Sequence, residues 1–142
     1  MIKKILAPGN DPALTSFSLL VLRLWLGLTM FFYHGLDKLR NFNDVAAHFP
    51  NPIGIGAKPG LVLVIMAEVL GAWLLALGLL TRLGALMLAI DMGVAFFMFH
   101  QMALGMVPKS GELAFIYLAG FVTLFLAGPG KFSMDKALFG KG

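Results

Sequence analysis

Four long, nearly uncharged apolar segments set the strongest limit on how this 142-residue chain can fold. They cover residues 17–36, 61–80, 83–103 and 113–127. A helix needs about 20 residues to cross the hydrocarbon core of a bilayer, which is about 30 Å thick. Polar and apolar residues do not alternate along these segments as they do in membrane strands. The pattern predicts an all-α membrane protein, an antiparallel bundle of four transmembrane helices forming one domain over residues 1–142.

The composition agrees with lipid as the main surroundings of the chain. It is 59% hydrophobic and 13% charged, whereas soluble domains are about one quarter charged. The net charge of +4 comes from scattered Lys and Arg residues, so the sequence does not predict nucleic-acid binding. The absence of cysteine excludes disulfide and thiol chemistry by the chain itself.

The first twelve residues do not match a secretory signal peptide. Only Ile5, Leu6 and Ala7 follow Lys4 before Pro8 interrupts the apolar run. We therefore expect the first long apolar segment to stay in the mature protein. Its helix is expected to begin with Asp11 as N-cap and Pro12 at the first helical position.

The connections between the segments predict a topology. The short link at residues 80–83 makes the second and third helices antiparallel neighbours. Residues 37–60 contain three prolines and predict an ordered loop, either re-entrant or on the surface. Basic residues outside the helices favour one side, with Lys3, Lys4, Arg82, Lys131, Lys136 and Lys141 against Lys38, Arg40, Lys58 and Lys109. The positive-inside rule then places both termini in the cytoplasm and the long loop outside.

Ionisable side chains within the apolar segments are the strongest functional signal. They are Arg23, His34, Glu68, Asp91, His100 and Glu112. Each needs a partner, a change of protonation or a water-filled cavity at membrane depth. The helical rise places Arg23 and Asp91 toward the cytoplasmic face, Glu68 near the middle and the others near the outer face.

Helical periodicity predicts which of these side chains share a face. In the first helix Arg23, His34 and Lys38 form one stripe, whereas Asp91 and His100 lie on opposite faces of a straight helix. Gly35 and, in the second helix, Gly71 permit close approach of another helix. A guanidinium cannot lose its proton, so Arg23 must meet an acid or carbonyl groups, and we expect Glu68 to be its partner.

Structural roles explain the same residues equally well from sequence alone. Arg23 is either part of a site or one half of a buried ion pair, with Glu68 or Asp91, that fixes helix register. His34 and His100 are either functional or interfacial histidines. Glu112 is either a site residue or a first-turn acid favoured by the helix dipole. The histidines and acids lack the local spacing of a metal site, so no metal is predicted.

A series of short motifs extends along nearly the whole chain. In order they are Arg23-x3-Gly27-x3-Phe31-x2-His34-Gly35-x2-Lys38, Glu68 with Gly71, Gly78-Leu-Leu-Thr81-Arg82, Glu112 with Tyr117, and Gly128-Pro-Gly-Lys-Phe-Ser-Met-Asp135. Their order and spacing resemble the DoxX family of small membrane proteins. Asp91 has no clear counterpart in this pattern.

The resemblance implies a four-helix protein of the bacterial inner membrane in a family described as oxidoreductases. Relatives serve as membrane subunits of thiosulfate:quinone oxidoreductase, in complexes that handle thiol or oxidative stress, or in maturation of periplasmic redox enzymes. We therefore expect a redox subunit acting on quinone, or a similar lipid-soluble substrate, at the periplasmic side. The alternative is a non-catalytic assembly factor or partner subunit for a redox complex.

The redox interpretation assigns roles to particular residues. The expected catalytic residues are His34, Glu68 and Arg23. The expected substrate-binding residues are Phe31, Lys38, His100, Glu112 and Tyr117. Beyond quinone, no cofactor is predicted. The expected partners are the lipid bilayer, a periplasmic or membrane redox protein, and a second copy of the chain in a homo-oligomer.

Overall fold

The computed structural model describes residues 11–140, and every regular element within this range is helical. We number the helices α1 Pro12–Arg40, α2 Phe42–His48, α3 Ala57–Leu77, α4 Thr81–Phe99, α5 Glu112–Ala127 and α6 Met134–Phe139. The all-α prediction is confirmed. The interpretation of the first ten residues, and the orientation signal from Lys3, Lys4 and Lys141, lie outside the described residues.

Within residues 11–140, three helices are long and apolar enough to cross a membrane. They are α1, α3 and α4, with 29, 21 and 19 residues. Helix α5 is apolar but has only 16 residues, which corresponds to a length of about 24 Å. The membrane-spanning length predicted for the first three segments is therefore confirmed, while the fourth segment forms a shorter helix.

The start of α1 follows the sequence prediction. The Asp11 carboxylate accepts hydrogen bonds from the backbone N–H groups of Ala13 and Leu14, and Pro12 occupies the first helical position, where no N–H is needed.

The predicted loop at residues 37–60 is partly wrong, because α1 continues to Arg40 and α2 follows after Asn41. Asn41 donates to the Asp37 side chain and backbone carbonyl, which satisfies polar groups at this junction.

The connection between α3 and α4 is a tight turn, as predicted. Gly78 has a φ of +70°, and the Leu79 N–H donates to the Leu74 carbonyl at 3.0 Å, the pattern of a Schellman motif. This motif ends α3 at Leu77, earlier than the sequence predicts. The backbone N–H groups of Leu80 and Thr81, which begin α4, donate to the Asp135 carboxylate at 2.6 and 2.9 Å.

Small residues let the helices approach closely, which confirms the expectation for Gly35 and Gly71. A Cβ atom at Gly35 would lie 2.8 Å from the backbone carbonyl of Glu68, and one at Gly84 would lie 2.7 Å from the Gly71 oxygen. Such contacts between small residues are typical of helix interfaces in membranes. The α1–α3 and α3–α4 pairs are therefore fixed at short separation.

Each of the three long helices contains a π turn. These turns are Phe31–Gly35 in α1, Met66–Gly71 in α3 and Ala95–Phe99 in α4. A π turn bonds residue i to i+5, so side chains beyond it rotate relative to a straight α-helix, and such turns often occur at functional sites. The facial assignments made with 100° per residue therefore change beyond each turn.

Candidate functional site

A cavity of about 660 Å³ lies among α1, α3, α4 and α5, with α2 and the loop after it forming part of its wall. Its volume is in the range of small-molecule sites. Most of the wall is apolar, including Phe49, Leu63, Val64, Met87 and Ile90. The polar side chains among the lining residues are His34, Lys38, His48, Asn51, Glu68, Asp91, His100, Ser110 and Tyr117.

The centre of the polar group is an ion pair between α1 and α3. Lys38 Nζ donates to Glu68 Oε1 at 2.8 Å and to Oε2 at 2.7 Å. Glu68 is 2% exposed, and the Lys38 side chain is 23% exposed. Glu68 lies within the π turn of α3, and Gly35 allows its backbone to approach α1. The pair uses both carboxylate oxygens of Glu68 and holds the two helices in register.

Asp91 on α4 lines the same cavity. Its Oδ2 atom is buried and has no hydrogen-bond partner among residues 11–140. The carboxyl group is close enough to Glu68 and Lys38 to interact electrostatically with both. The sequence placed Asp91 nearer the cytoplasmic face than Glu68, and this predicted difference in depth is wrong. Because α3 ends at Leu77 and α4 begins at Thr81, Glu68 and Asp91 lie at similar distances from the turn.

His34 and Tyr117 form another part of the polar lining. The His34 ring, in the π turn of α1, meets the Tyr117 ring of α5 edge to face at a centroid distance of 5.8 Å. Tyr117 is buried and stacks on Phe121. An imidazole and a phenol at the cavity surface supply hydrogen-bond donors and acceptors.

His100 also lines the cavity, although a straight helix would place it opposite Asp91. The π turn at Ala95–Phe99 lies between the two residues and rotates the end of α4. A straight helix could not direct both side chains toward one centre, and the π turn provides the required rotation. His100 Nδ1 lies 2.6 Å from the Lys109 carbonyl oxygen, so this nitrogen donates the hydrogen bond.

Arg23 lies outside the cavity lining, and its predicted pairing with Glu68 is wrong. The guanidinium is fully buried, and its Nη2 donates to the Phe132 carbonyl at 2.5 Å. It packs so closely on Gly78 that a Cβ atom there would overlap it. The segment after α5 folds back over this end of the bundle and brings the carbonyl of Phe132 and the charge of Asp135 to Arg23. Lys38, and not Arg23, forms the ion pair with Glu68.

Two other residues expected at the site are also not among the cavity-lining residues. Glu112 is exposed at the first position of α5. Phe31 packs against Trp73 at a ring distance of 5.1 Å. Five expected site residues do line the cavity, namely His34, Lys38, Glu68, His100 and Tyr117.

Three polar residues of the cavity lining were not predicted from the sequence as site residues, namely Asp91, His48 and Asn51. Counting residues outward from the α3–α4 turn would have placed Asp91 at about the same level as Glu68. His48 and Asn51 carry no such signal, because their position depends on how α2 and its loop fold back. Within the described part of the chain, no group of three or more His, Asp and Glu side chains is arranged to hold a metal ion.

Comparison with known proteins gives a family. The DoxX family model matches residues 18–101. An uncharacterized protein of Haemophilus influenzae is 31% identical over 116 residues, covering 79% of this chain and 84% of the relative. A second uncharacterized protein of the same organism is 34% identical over 126 residues, covering 85% and 83%.

No solved structure matches the chain. The matched region contains α3, α4 and most of α1, and therefore the Lys38–Glu68 pair and Asp91. The family match and the three membrane-length helices identify a multi-pass membrane protein that lies in a lipid bilayer. The chain belongs to the DoxX family.

Proposed function

We propose that this protein is a membrane oxidoreductase subunit that binds a quinone, or a similar small lipid-soluble redox molecule, in the cavity. The observation that carries the proposal is the cavity itself, an apolar space of about 660 Å³ with a few convergent polar side chains. A quinone has the matching chemistry, because its two carbonyl oxygens accept hydrogen bonds and its tail requires apolar contact. Sites for such ligands are mostly apolar, with a few well-placed polar groups.

The polar residues take distinct roles in this proposal. His34 and Tyr117 contact the head group, and His34 carries protons between the site and water. Glu68 and Lys38 hold one end of the site at a fixed geometry through their ion pair. His100 contributes to the same wall. Arg23 has a structural role at the other end of the bundle.

The overall reaction converts the quinone to a quinol by adding two electrons and two protons. The electron pair comes from a reduced periplasmic or membrane redox protein, which is oxidised by two electrons. The protons come from water by way of side chains of the cavity. The chain itself has no cysteine, so a dithiol on this protein is not the electron donor.

The proposal places the protein in the bacterial inner membrane, with α5 as a fourth span and both termini in the cytoplasm. Counted over the whole sequence, six basic residues then belong to the cytoplasmic side and four to the other side, the excess that the positive-inside rule requires. The cavity, with the loop after α2, opens toward the periplasm. A short span such as α5 is tolerated through local thinning of the bilayer.

Quinone binding can be tested with matched variants on α5. Purified protein in detergent is titrated with ubiquinone-1 while the thermal unfolding midpoint is recorded. We expect a saturable rise of the midpoint, because a ligand that binds only the folded state stabilises it. Ala114→Phe fills the cavity wall and should abolish the rise, whereas Ala119→Phe, at an exposed position on the same helix, should preserve it.

The result that contradicts the proposal is equally specific. An unchanged midpoint for the wild-type protein, or an equal rise in the folded Ala114→Phe and Ala119→Phe variants, would show that ubiquinone-1 does not occupy the cavity. Helical circular dichroism establishes that both variants are folded. Absence of binding together with a redox protein that co-purifies in fixed ratio would favour the alternative, a non-catalytic assembly factor or partner subunit.

A further inference from the structure

Asp91 is a polar group of the cavity that the proposed function does not use. It lies on α4, and its Oδ2 atom is buried without a hydrogen-bond partner in the described range 11–140. A buried carboxyl oxygen without a partner is rare in folded proteins, and each such case requires an explanation. The neighbouring cation does not supply one, because Lys38 donates to both oxygens of Glu68.

The charges around Asp91 do not balance if its carboxyl group is ionised. The titratable groups that line the same cavity are His34 and Lys38 on α1, His48 on α2, Glu68 on α3, His100 directly after α4 and Tyr117 on α5. Lys38 is the only one of these with a fixed positive charge, and it already neutralises Glu68. An ionised Asp91 would therefore leave one excess negative charge in a mostly apolar wall.

The histidines do not remove this excess. His100 donates its Nδ1 proton to the Lys109 carbonyl, and His34 packs edge to face on Tyr117. His48 Nδ1 lies 3.3 Å from the Asp44 carbonyl on its own helix. A carboxyl group in an apolar setting without a counter-charge binds a proton, because the neutral form loses less on leaving water. A protonated carboxyl group is also a hydrogen-bond donor, which an ionised one is not.

We propose that Asp91 is protonated in the empty cavity and donates a hydrogen bond to an uncharged oxygen acceptor of the bound ligand. The identity of that acceptor, one carbonyl oxygen of a quinone, rests on the proposed function, whereas the protonation of Asp91 does not. The site then selects a neutral acceptor over a carboxylate or phosphate ligand. An anionic ligand would be repelled by the Glu68 carboxylate. That carboxylate already neutralises Lys38, the only fixed cation among the lining residues.

The proposal also assigns one of the two protons of quinone reduction. When the partner protein delivers two electrons, the O–H bond of Asp91 breaks and its proton forms the O–H bond of one quinol oxygen. Asp91 becomes a carboxylate, and the second proton reaches the other quinol oxygen from water by way of His34. Asp91 then recovers a proton from water at the cavity mouth.

Infrared spectroscopy tests the protonation without any ligand. We expect the carbonyl stretching band of a protonated carboxyl group in the wild-type protein at neutral pH. The band should disappear in Asp91→Asn and persist in Glu68→Gln. Absence of the band from the wild-type protein would overturn the proposal, and so would a band that Glu68→Gln removes but Asp91→Asn retains. If one of the two variants does not fold, the other still assigns the band to Asp91 or to Glu68.

Binding of ubiquinone-1 tests the hydrogen bond. Asp91→Asn keeps an N–H donor and should bind within about threefold of wild type, whereas Asp91→Leu removes the donor and should bind about tenfold more weakly. Equal affinities of the Asn and Leu variants would overturn the role of Asp91 as a donor. Binding of benzyltrimethylammonium with loss of the carboxyl band would also overturn it, because Asp91 would then hold a cation as a carboxylate.

The two measurements separate this inference from the proposed function. A carboxyl band that depends on Asp91, without any binding of ubiquinone-1, would refute the quinone proposal and support the protonation of Asp91. Binding of ubiquinone-1 without such a band would support the quinone proposal and refute the protonation.

Discussion

The buried charged side chains of this protein are stabilised in different ways. Arg23 cannot lose its proton, and it lies where a backbone carbonyl and the nearby Asp135 compensate its charge. Glu68 instead accepts two hydrogen bonds from Lys38. Each buried charge at membrane depth requires such compensation. Arg23 therefore stabilises one end of the bundle, and Glu68 forms part of the cavity wall.

The Lys38–Glu68 pair predicts strong coupling between the two positions. Lys38→Met and Glu68→Gln should each lower the free energy of unfolding by about 2 kcal/mol, because each leaves a partner unpaired at a partly buried site. The double variant should lose clearly less than the sum of the two. Denaturant unfolding in detergent of the four proteins measures this coupling energy.

A second cycle provides the control. Arg23→Met and Glu68→Gln should be additive, since Arg23 bonds to Phe132 and Glu68 to Lys38. Additive losses for Lys38 and Glu68, or coupling between Arg23 and Glu68, would contradict the ion pairing seen in the structure.

The sequence showed which charges need compensation but not what compensates each of them. The acceptor for Arg23 is the main-chain carbonyl of Phe132, 109 residues away. Any residue has such a carbonyl, so nothing in the sequence marks it. The Lys38–Glu68 contact was not predicted either. From the sequence, Lys38 was assigned to substrate binding and to the outer loop.

Among the elements, regular features were predictable and local departures were not. The Asp11 N-cap, the α3–α4 turn and the close approach at Gly35 follow from residue chemistry, and the structure confirms them. The three π turns do not follow from it, because a π turn differs from an α turn by one hydrogen-bond register that several helices must support together. These turns determine that Asp91 and His100 line one cavity.

The start of α4 depends on a residue that is distant in sequence. Leu80 has no side-chain cap of its own, and Asp135 accepts from the N–H groups of Leu80 and Thr81. Asp135→Ala should therefore lower the free energy of unfolding by about 1–2 kcal/mol, as loss of an N-cap does. Asp44→Ala, at an exposed position on α2, should have little effect.

The same contact predicts a pH dependence. Burial raises the pKa of Asp135, but the backbone hydrogen bonds from Thr81 and Leu80 and the charge of Arg23 outweigh it, so the pKa lies below its usual value. The folded state then binds fewer protons than the unfolded state, and stability rises with pH through this window. The contribution is complete above the unfolded-state pKa of about 3.9 and is lost as pH falls through the lower folded-state pKa.

Unfolding measured at several pH values from about 2 to 6 checks both effects of Asp135. The acid-side slope should be smaller in Asp135→Ala than in wild type and unchanged in Asp44→Ala. An identical slope in all three proteins would show that the Asp135 contact does not contribute to stability.

At the scale of the whole molecule, the two ends of the bundle differ. One end carries the cavity and the loop after α2, and the other carries Arg23 and the folded-back segment with Asp135. Large apolar side chains such as Trp25, Ile116 and Leu126 are exposed, as expected for a surface that meets lipid. The sequence predicted this membrane character, whereas the cavity requires contributions from five helices and could not be read from any one of them.

Single cysteines can test the number and direction of the membrane crossings. Because the chain has no cysteine, single cysteines report position without background. The three exposed positions are Asn51→Cys between α2 and α3, Val107→Cys between α4 and α5, and Lys131→Cys after α5. A membrane-impermeant maleimide should label the first two in intact cells and the third only after lysis.

The three positions separate the number of crossings from their direction. Helix α5 contributes Phe121 and Leu124 to the same core as Leu75 and Leu88, so we expect it to cross beside α4 despite its length. If α5 does not cross, Val107→Cys and Lys131→Cys will label alike, and the four-span arrangement is wrong. If all three labels are reversed, four spans remain but the cavity faces the cytoplasm. A difference between Asn51→Cys and Val107→Cys would instead mean that α3 and α4 do not form a complete transmembrane hairpin.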